Sequence, residues 1–231
     1  MTRKIVLRDR YRWAKLWNQL TRSLRRRVRG RIFQAIESGD DDEVLRLATP
    51  RTLRKAVGEF GQSPLVAAIQ SGRSDLAVAL IARGGSYGGD GALASAALKG
   101  DLTAVDALLK VGKNPDESLK GMDDTHAGYT PLMWAVNRKH LPVAKRLLAA
   151  GADVDAVAKD GNTAIMFTAN GGPEELLVLD VLCAYQPDIH RKDRRGRSLV
   201  HEARDREKNS GRPEMRQVLE RHFPGIEFNL R

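Results

Sequence analysis

The run Thr130-Pro131-Leu132-Met133-Trp134-Ala135 opens a stretch that continues to Leu147-Leu148-Ala149-Ala150-Gly151-Ala152-Asp153-Val154-Asp155-Ala156. At Asp160-Gly161-Asn162-Thr163-Ala164-Ile165-Met166 the same order of residue types begins again, and Thr130 lies 33 residues before Thr163. A period of that length marks a chain of stacked copies, each burying its apolar faces against its neighbours.

Working outward, Ala35-Ile36-Glu37-Ser38-Gly39 is echoed 33 residues later by Ala68-Ile69-Gln70-Ser71-Gly72. Ser63-Pro64-Leu65-Val66-Ala67-Ala68 repeats the opening, with Pro64 suited to a first helical position and Ser63 to the cap before it. A worn copy runs from Leu93 to Asp116, keeping Ala96-Ala97, Gly100, Leu108-Leu109 and Gly112 in frame. The copy starting at Thr163 has two extra residues around Gly171-Gly172-Pro173, which brings Leu182-Cys183 onto Leu147-Leu148. A last copy starts at Gly196-Arg197-Ser198-Leu199-Val200-His201-Glu202-Ala203, passes an irregular turn from Lys208 to Pro213, and ends on Met215, Val218 and Leu219.

The opening and the period together resemble the ankyrin-repeat family, whose units begin T-P-L-H-x-A. The resemblance implies an all-α fold, a solenoid of about five to six helix-turn-helix units covering residues 31–223. The units are expected at about 31–60, 61–90, 91–127, 128–160, 161–195 and 196–223, followed by a tail at 224–231. First helices should line a concave surface and hairpin-like loops should project from one side.

Charge divides the chain. Residues 1–31 hold 12 Lys or Arg and one acid, Asp9, a net of +11, whereas the other 200 residues hold 27 basic and 28 acidic side chains. Trp13, Leu16, Trp17, Leu20, Leu24 and Val28 recur at spacings of three and four, which predicts a basic amphipathic helix within 1–30. Three roles stand open for it: a cap on the stack, a tether to an anionic membrane surface, or a nucleic-acid or import element around Arg25-Arg26-Arg27. The single cysteine, Cys183, excludes an intrachain disulfide and fits a reducing compartment. No apolar run reaches 18 residues, and the N-terminus has no continuous apolar leader core. A cytoplasmic location is expected, with the nucleus open in a eukaryote.

No catalytic constellation emerges. His126, His140, His190, His201 and His222 are scattered without H-E-x-x-H or paired-Cys spacing, so neither a metal nor a cofactor is expected. The glycine-rich run from Gly84 to Gly91 lacks the G-K-[ST] ending of a phosphate loop. Asp40-Asp41-Asp42 suits a helix start, and Asp123-Asp124 lacks EF-hand spacing. Cys183 occupies a core leucine position, where a thiol stays inert.

The resemblance implies a non-enzymatic protein–protein interaction module, an adaptor or inhibitor, with its contacts on the loop residues before each opening and on the polar residues ending each first helix. Carried onto this chain, those positions are Tyr129, Asn137 and Arg138; then Lys159, Asp160, Asn162 and Asn170; then Arg194, Arg195 and Arg197. His126, Asp205, Gln62 and Gln70 hold comparable places. His201 matches the family's turn-bonding histidine. Tyr129 and Arg138 are favoured because Tyr and Arg are enriched at interface hot spots. Cutting both back to Ala is expected to weaken binding while leaving the thermal midpoint nearly unchanged. Trp134 falls at an ordinarily apolar first-helix position, where core packing is favoured over partner contact. The expected partner of this monomer is another protein, of acidic character if the cations decide; membrane or nucleic acid through 1–30 is the lesser alternative.

Overall fold

The computed structural model describes residues 30–55, 58, 62–86, 89–118 and 127–228. The expected basic helix, apart from Gly30, lies outside the described residues, as do His126 and Asp123-Asp124. Every regular element among the described residues is helical.

Residues 30–38 form α1, which buries Ile32, Ala35 and Ile36 at helical spacing before Gly39 turns the chain. Asp40 then caps α2 (Asp41–Leu47), accepting from the Glu43 amide at 2.9 Å, and the acids of the first turn face the positive end of the helix. A short α3 (Pro50–Lys55) follows, started by Thr49 accepting from the Thr52 amide and anchored by the buried Leu53. The repeat pattern had left α3 unanticipated.

Three helix pairs come next. They are α4 (Pro64–Gln70) with α5 (Ser74–Ala82), α6 (Ala92–Lys99) with α7 (Leu102–Lys110), and α8 (Pro131–Asn137) with α9 (Leu141–Ala149). Ser63 and Thr130 cap α4 and α8 with their hydroxyls, and Pro64 and Pro131 sit just inside, as their sequence predicts. The first helices α4, α6 and α8 pack in one row, and the second helices α5, α7 and α9 pack in another. A first helix therefore touches its partner and a neighbour on each side. That is why six consecutive residues of α4 and of α8 are buried. The alanines of α6 let its neighbours approach closely.

The next pair departs from expectation. Its first element, η1 (Ala164–Thr168), is a five-residue 3₁₀ helix, followed by α10 (Pro173–Cys183). No proline presets its start, and Thr163 makes no side-chain capping bond. The Met166 amide instead reaches the Thr163 carbonyl at 3.2 Å, the three-residue spacing of a tighter helix. Finally α11 (Leu199–Ser210) continues through part of the expected irregular turn and stops at Gly211, and α12 (Glu214–His222) buries Met215, Val218 and Leu219. Phe228, in the segment expected to be a tail, is buried, and the Arg216 guanidinium lies 4.7 Å from its ring centroid.

Polar links join successive pairs on the side following the second helices. Asp116 accepts from the Asp153 amide, and Asp155 from the Asp188 amide, both at 2.9 Å. Asp180 of α10 meets His222 of α12 at 2.9 Å, which with Arg221 holds its carboxyl below the usual range. Among the described residues, no helix is long and apolar enough to cross a membrane.

Candidate binding surface

The loops before Ser63, Thr163 and Ser198 are closed by the backbone in the same way. The Ala158 amide donates to the Asn162 carbonyl and the Asp193 amide to the Arg197 carbonyl, both at 2.9 Å, and Gly58 bonds Gln62 likewise. Asp160 and Asp193 lock the two later tips from inside. Asp160 accepts from the Asn162 amide at 3.0 Å, and Asp193 from the Arg195 and Arg197 amides. The tips also dock on each other. The Lys159 amide donates to the Ala127 carbonyl at 3.0 Å, and the Arg194 guanidinium donates to the Lys159 carbonyl. Glycine is needed for this approach: Gly128 has φ +84° and a Cβ there would meet the Lys159 amide at 3.3 Å.

The candidate positions divide between surface and interior. Asn137, Arg138 and Asn170 stand exposed where α8 and η1 end, and Lys159, Arg194 and Arg195 stand exposed on the tips. Arg197 is half-buried and held by Glu202 at 2.7 Å and Asp205 at 3.0 Å. The side chains of Asp160 and Asn162 are tied to each other at 2.8 Å. Between the ends of α4 and α6 lies an open cleft of about 630 Å³, lined in part by Gln70, Ser71, Lys99 and Thr103.

Tyr129 is different, and the expectation that it can be cut back harmlessly needs correction. It is only 5% exposed, its ring packs 5.2 Å from that of Trp134 and 5.3 Å from that of Phe167, and its hydroxyl donates to Asp160 at 2.8 Å. Burial, helped by the Asp160 carboxylate, pushes its phenol up to about 12. Its truncation would open a cavity, so a folded double variant with Arg138 no longer isolates the surface. Trp134 is core, at 3% exposure. His201 does what the resemblance implied, its Nδ1 accepting from the Ser198 amide at 3.2 Å, and burial with nearby Arg204 and Lys192 keeps it below its ordinary pKa. Cys183 is fully buried, and its thiol is pushed up to about 12 by that burial.

Two exposed cations on this side are not among the candidate positions. Lys139 occupies the turn position held by glycine at Gly72 and Gly100. It adopts φ 62° and pairs with Glu175 at 2.9 Å. Lys192 lies exposed beside the last tip. The signal for Lys192 was the density of cations in Arg191-Lys192-Asp193-Arg194-Arg195.

A family model described as "Ankyrin repeats (3 copies)" matches residues 88–158 and 132–230. Among solved structures, the chain is similar to an ankyrin repeat domain from Acinetobacter baumannii AYE. The two share 22% identity over 83% of this chain and 96% of that one, with a TM-score of 0.70. At that identity the likeness concerns the fold. Repeats of this kind are generally protein–protein interaction modules without catalytic activity.

Proposed function

This chain belongs to the ankyrin-repeat family, and from that premise we propose that it is a non-catalytic adaptor or inhibitor that holds one partner protein against its loop tips and first-helix ends. The observation that carries the reading is the docking of tip on tip: Ala127, Lys159 and Arg194 bring successive exposed loops into one fixed face. A preformed face binds without a large ordering cost. Asn137, Arg138 and Asn170 extend that face along the ends of α8 and η1.

The test is affinity capture followed by mass spectrometry, with the full chain and with an Arg138→Ala, Asn170→Ala variant. Both side chains are exposed, so the variant should unfold at the same temperature. One protein recovered by the parent and lost by the variant supports the reading. Equal recovery by both overturns it.

The net charge of +11 in residues 1–31 favours a second reading, an electrostatic tether to an anionic membrane or nucleic acid. It is upheld if only lipid or nucleic acid is recovered and only by the chain containing those residues.

A further inference from the structure

We propose that the tip face takes an acidic, extended protein segment whose carboxylates recur at about every third residue. The proposal rests on the interaction-module reading and adds the chemistry of the occupant.

Cations crowd two adjacent tips. Lys159 stands on the first, and Lys192, Arg194 and Arg195 stand on the second, all exposed. None of these four is in a salt bridge among the described residues. The carboxylates within the two tips are tied locally: both oxygens of Asp160 accept from the Asn162 amide, the Asn162 side chain and the Tyr129 hydroxyl, and one oxygen of Asp193 accepts from the Arg195 and Arg197 amides. The arrangement leaves the positive side chains exposed while the carboxylates of the same tips are engaged by their own loops. An incoming carboxylate meets an arginine fork that does not have to leave another acid first.

Spacing supplies the second half of the argument. Helices of one row pack about 8–10 Å apart, and successive tips share that step because each is joined to the start of a first helix. A segment in the polyproline II conformation advances about 3.1 Å per residue with three residues per turn, so every third side chain faces the same way and reaches the next tip. The bond from Arg194 to the Lys159 carbonyl fixes the step between the two tips.

A protein segment is favoured over single-stranded nucleic acid. Residues 158–162 and 192–197 contain no aromatic residue on which a base could stack. The nearest ring with a place in this face, Tyr129, is buried.

Fluorescence anisotropy on the full chain tests the proposal with four probes. They are a labelled peptide with glutamate at every third position, a peptide of the same composition with its glutamates bunched at one end, an oligothymidylate of equal charge, and phosphatidylserine vesicles. The spaced peptide should bind tightest. A Lys159→Ser, Lys192→Ser, Arg195→Ser variant should weaken it roughly tenfold, each exposed pair contributing about a factor of two, with its melting temperature unchanged. Raised salt should shrink that difference.

Unchanged binding by the variant overturns the proposal. Equal binding of the bunched peptide overturns the register. Tighter, tip-dependent binding of the oligonucleotide or the vesicles overturns the choice of a protein segment. Each of these leaves the module reading to the Arg138 and Asn170 variant, whose readout is the captured protein.

Discussion

The openings at Thr130 and Thr163 stand one period apart and begin alike, yet one starts an α-helix and the other a 3₁₀ turn. At Thr130 the hydroxyl accepts from the Met133 amide at 3.3 Å, and Pro131 presets the first helical residue. At Thr163 the hydroxyl is buried and makes no hydrogen bond among the described residues, and Ala164 replaces the proline. Trp134 and Phe167 are equivalent in the two openings, and Tyr129 packs against both rings. A threonine in register is therefore insufficient to set the helix. The proline and the completed cap accompany the α-helix at Thr130, and both are missing where the tighter turn forms at Thr163.

The strongest way to break this comparison is to remove the equivalent rings. Trp134→Ala should cost about 4 kcal/mol in urea unfolding and Phe167→Ala about 2 kcal/mol, because Trp134 is buried and Phe167 only half so. Equal costs would mean that the second opening is as well packed as the first. The hydroxyls give a smaller contrast, of opposite sign. Thr130→Val should destabilise by about 1.5 kcal/mol through loss of the cap. Thr163→Val should be neutral or stabilise by up to about 1 kcal/mol, since it replaces a buried, unpartnered hydroxyl with a methyl. A matching loss at both sites would contradict the geometry.

The smallest effect concerns the residue that bridges the two openings. Tyr129→Phe should cost about 1 kcal/mol at neutral pH by removing the bond to Asp160. The folded chain holds the phenol proton more tightly than the unfolded chain, with values of about 12 and 10.0. That contribution is complete below about pH 10 and is lost as pH rises toward 12. The stability gap between parent and variant should therefore close across that window. A gap that stays constant would show that Tyr129 titrates like an exposed phenol.

What could be read from the sequence follows from how local each cause is. The starts of α4 and α8 were visible because serine or threonine followed by proline acts within a few residues. The start of α2 was visible because its acids interact with their own helix end. The core role of Cys183 followed from its leucine-equivalent place. Tyr129 was misplaced because its position is polar in the other copies, Gln62, Asn162 and Arg197. Its burial depends on Phe167, 38 residues away, and on Trp134. The 3₁₀ turn was hidden for a related reason: the pattern marked Thr163 as a cap, and only the structure shows its hydroxyl without a donor. Within the candidate face, residue type and register located Arg138, Asn170 and Arg194, and the cation run at 191–195 carried a signal for Lys192, whereas the fixing of tip on tip required the backbone.

The hydrogen bonds that join one pair of helices to the next have a consequence for how the chain is made. Those from Tyr129 to Asp160, Asp153 to Asp116, Asp188 to Asp155 and Arg194 to Lys159 span 31 to 37 residues. None of these four waits for a distant terminus. As the polypeptide leaves the ribosome N-terminus first, each new pair of helices finds its docking face already assembled, and the nascent chain exposes only one unfinished edge at a time.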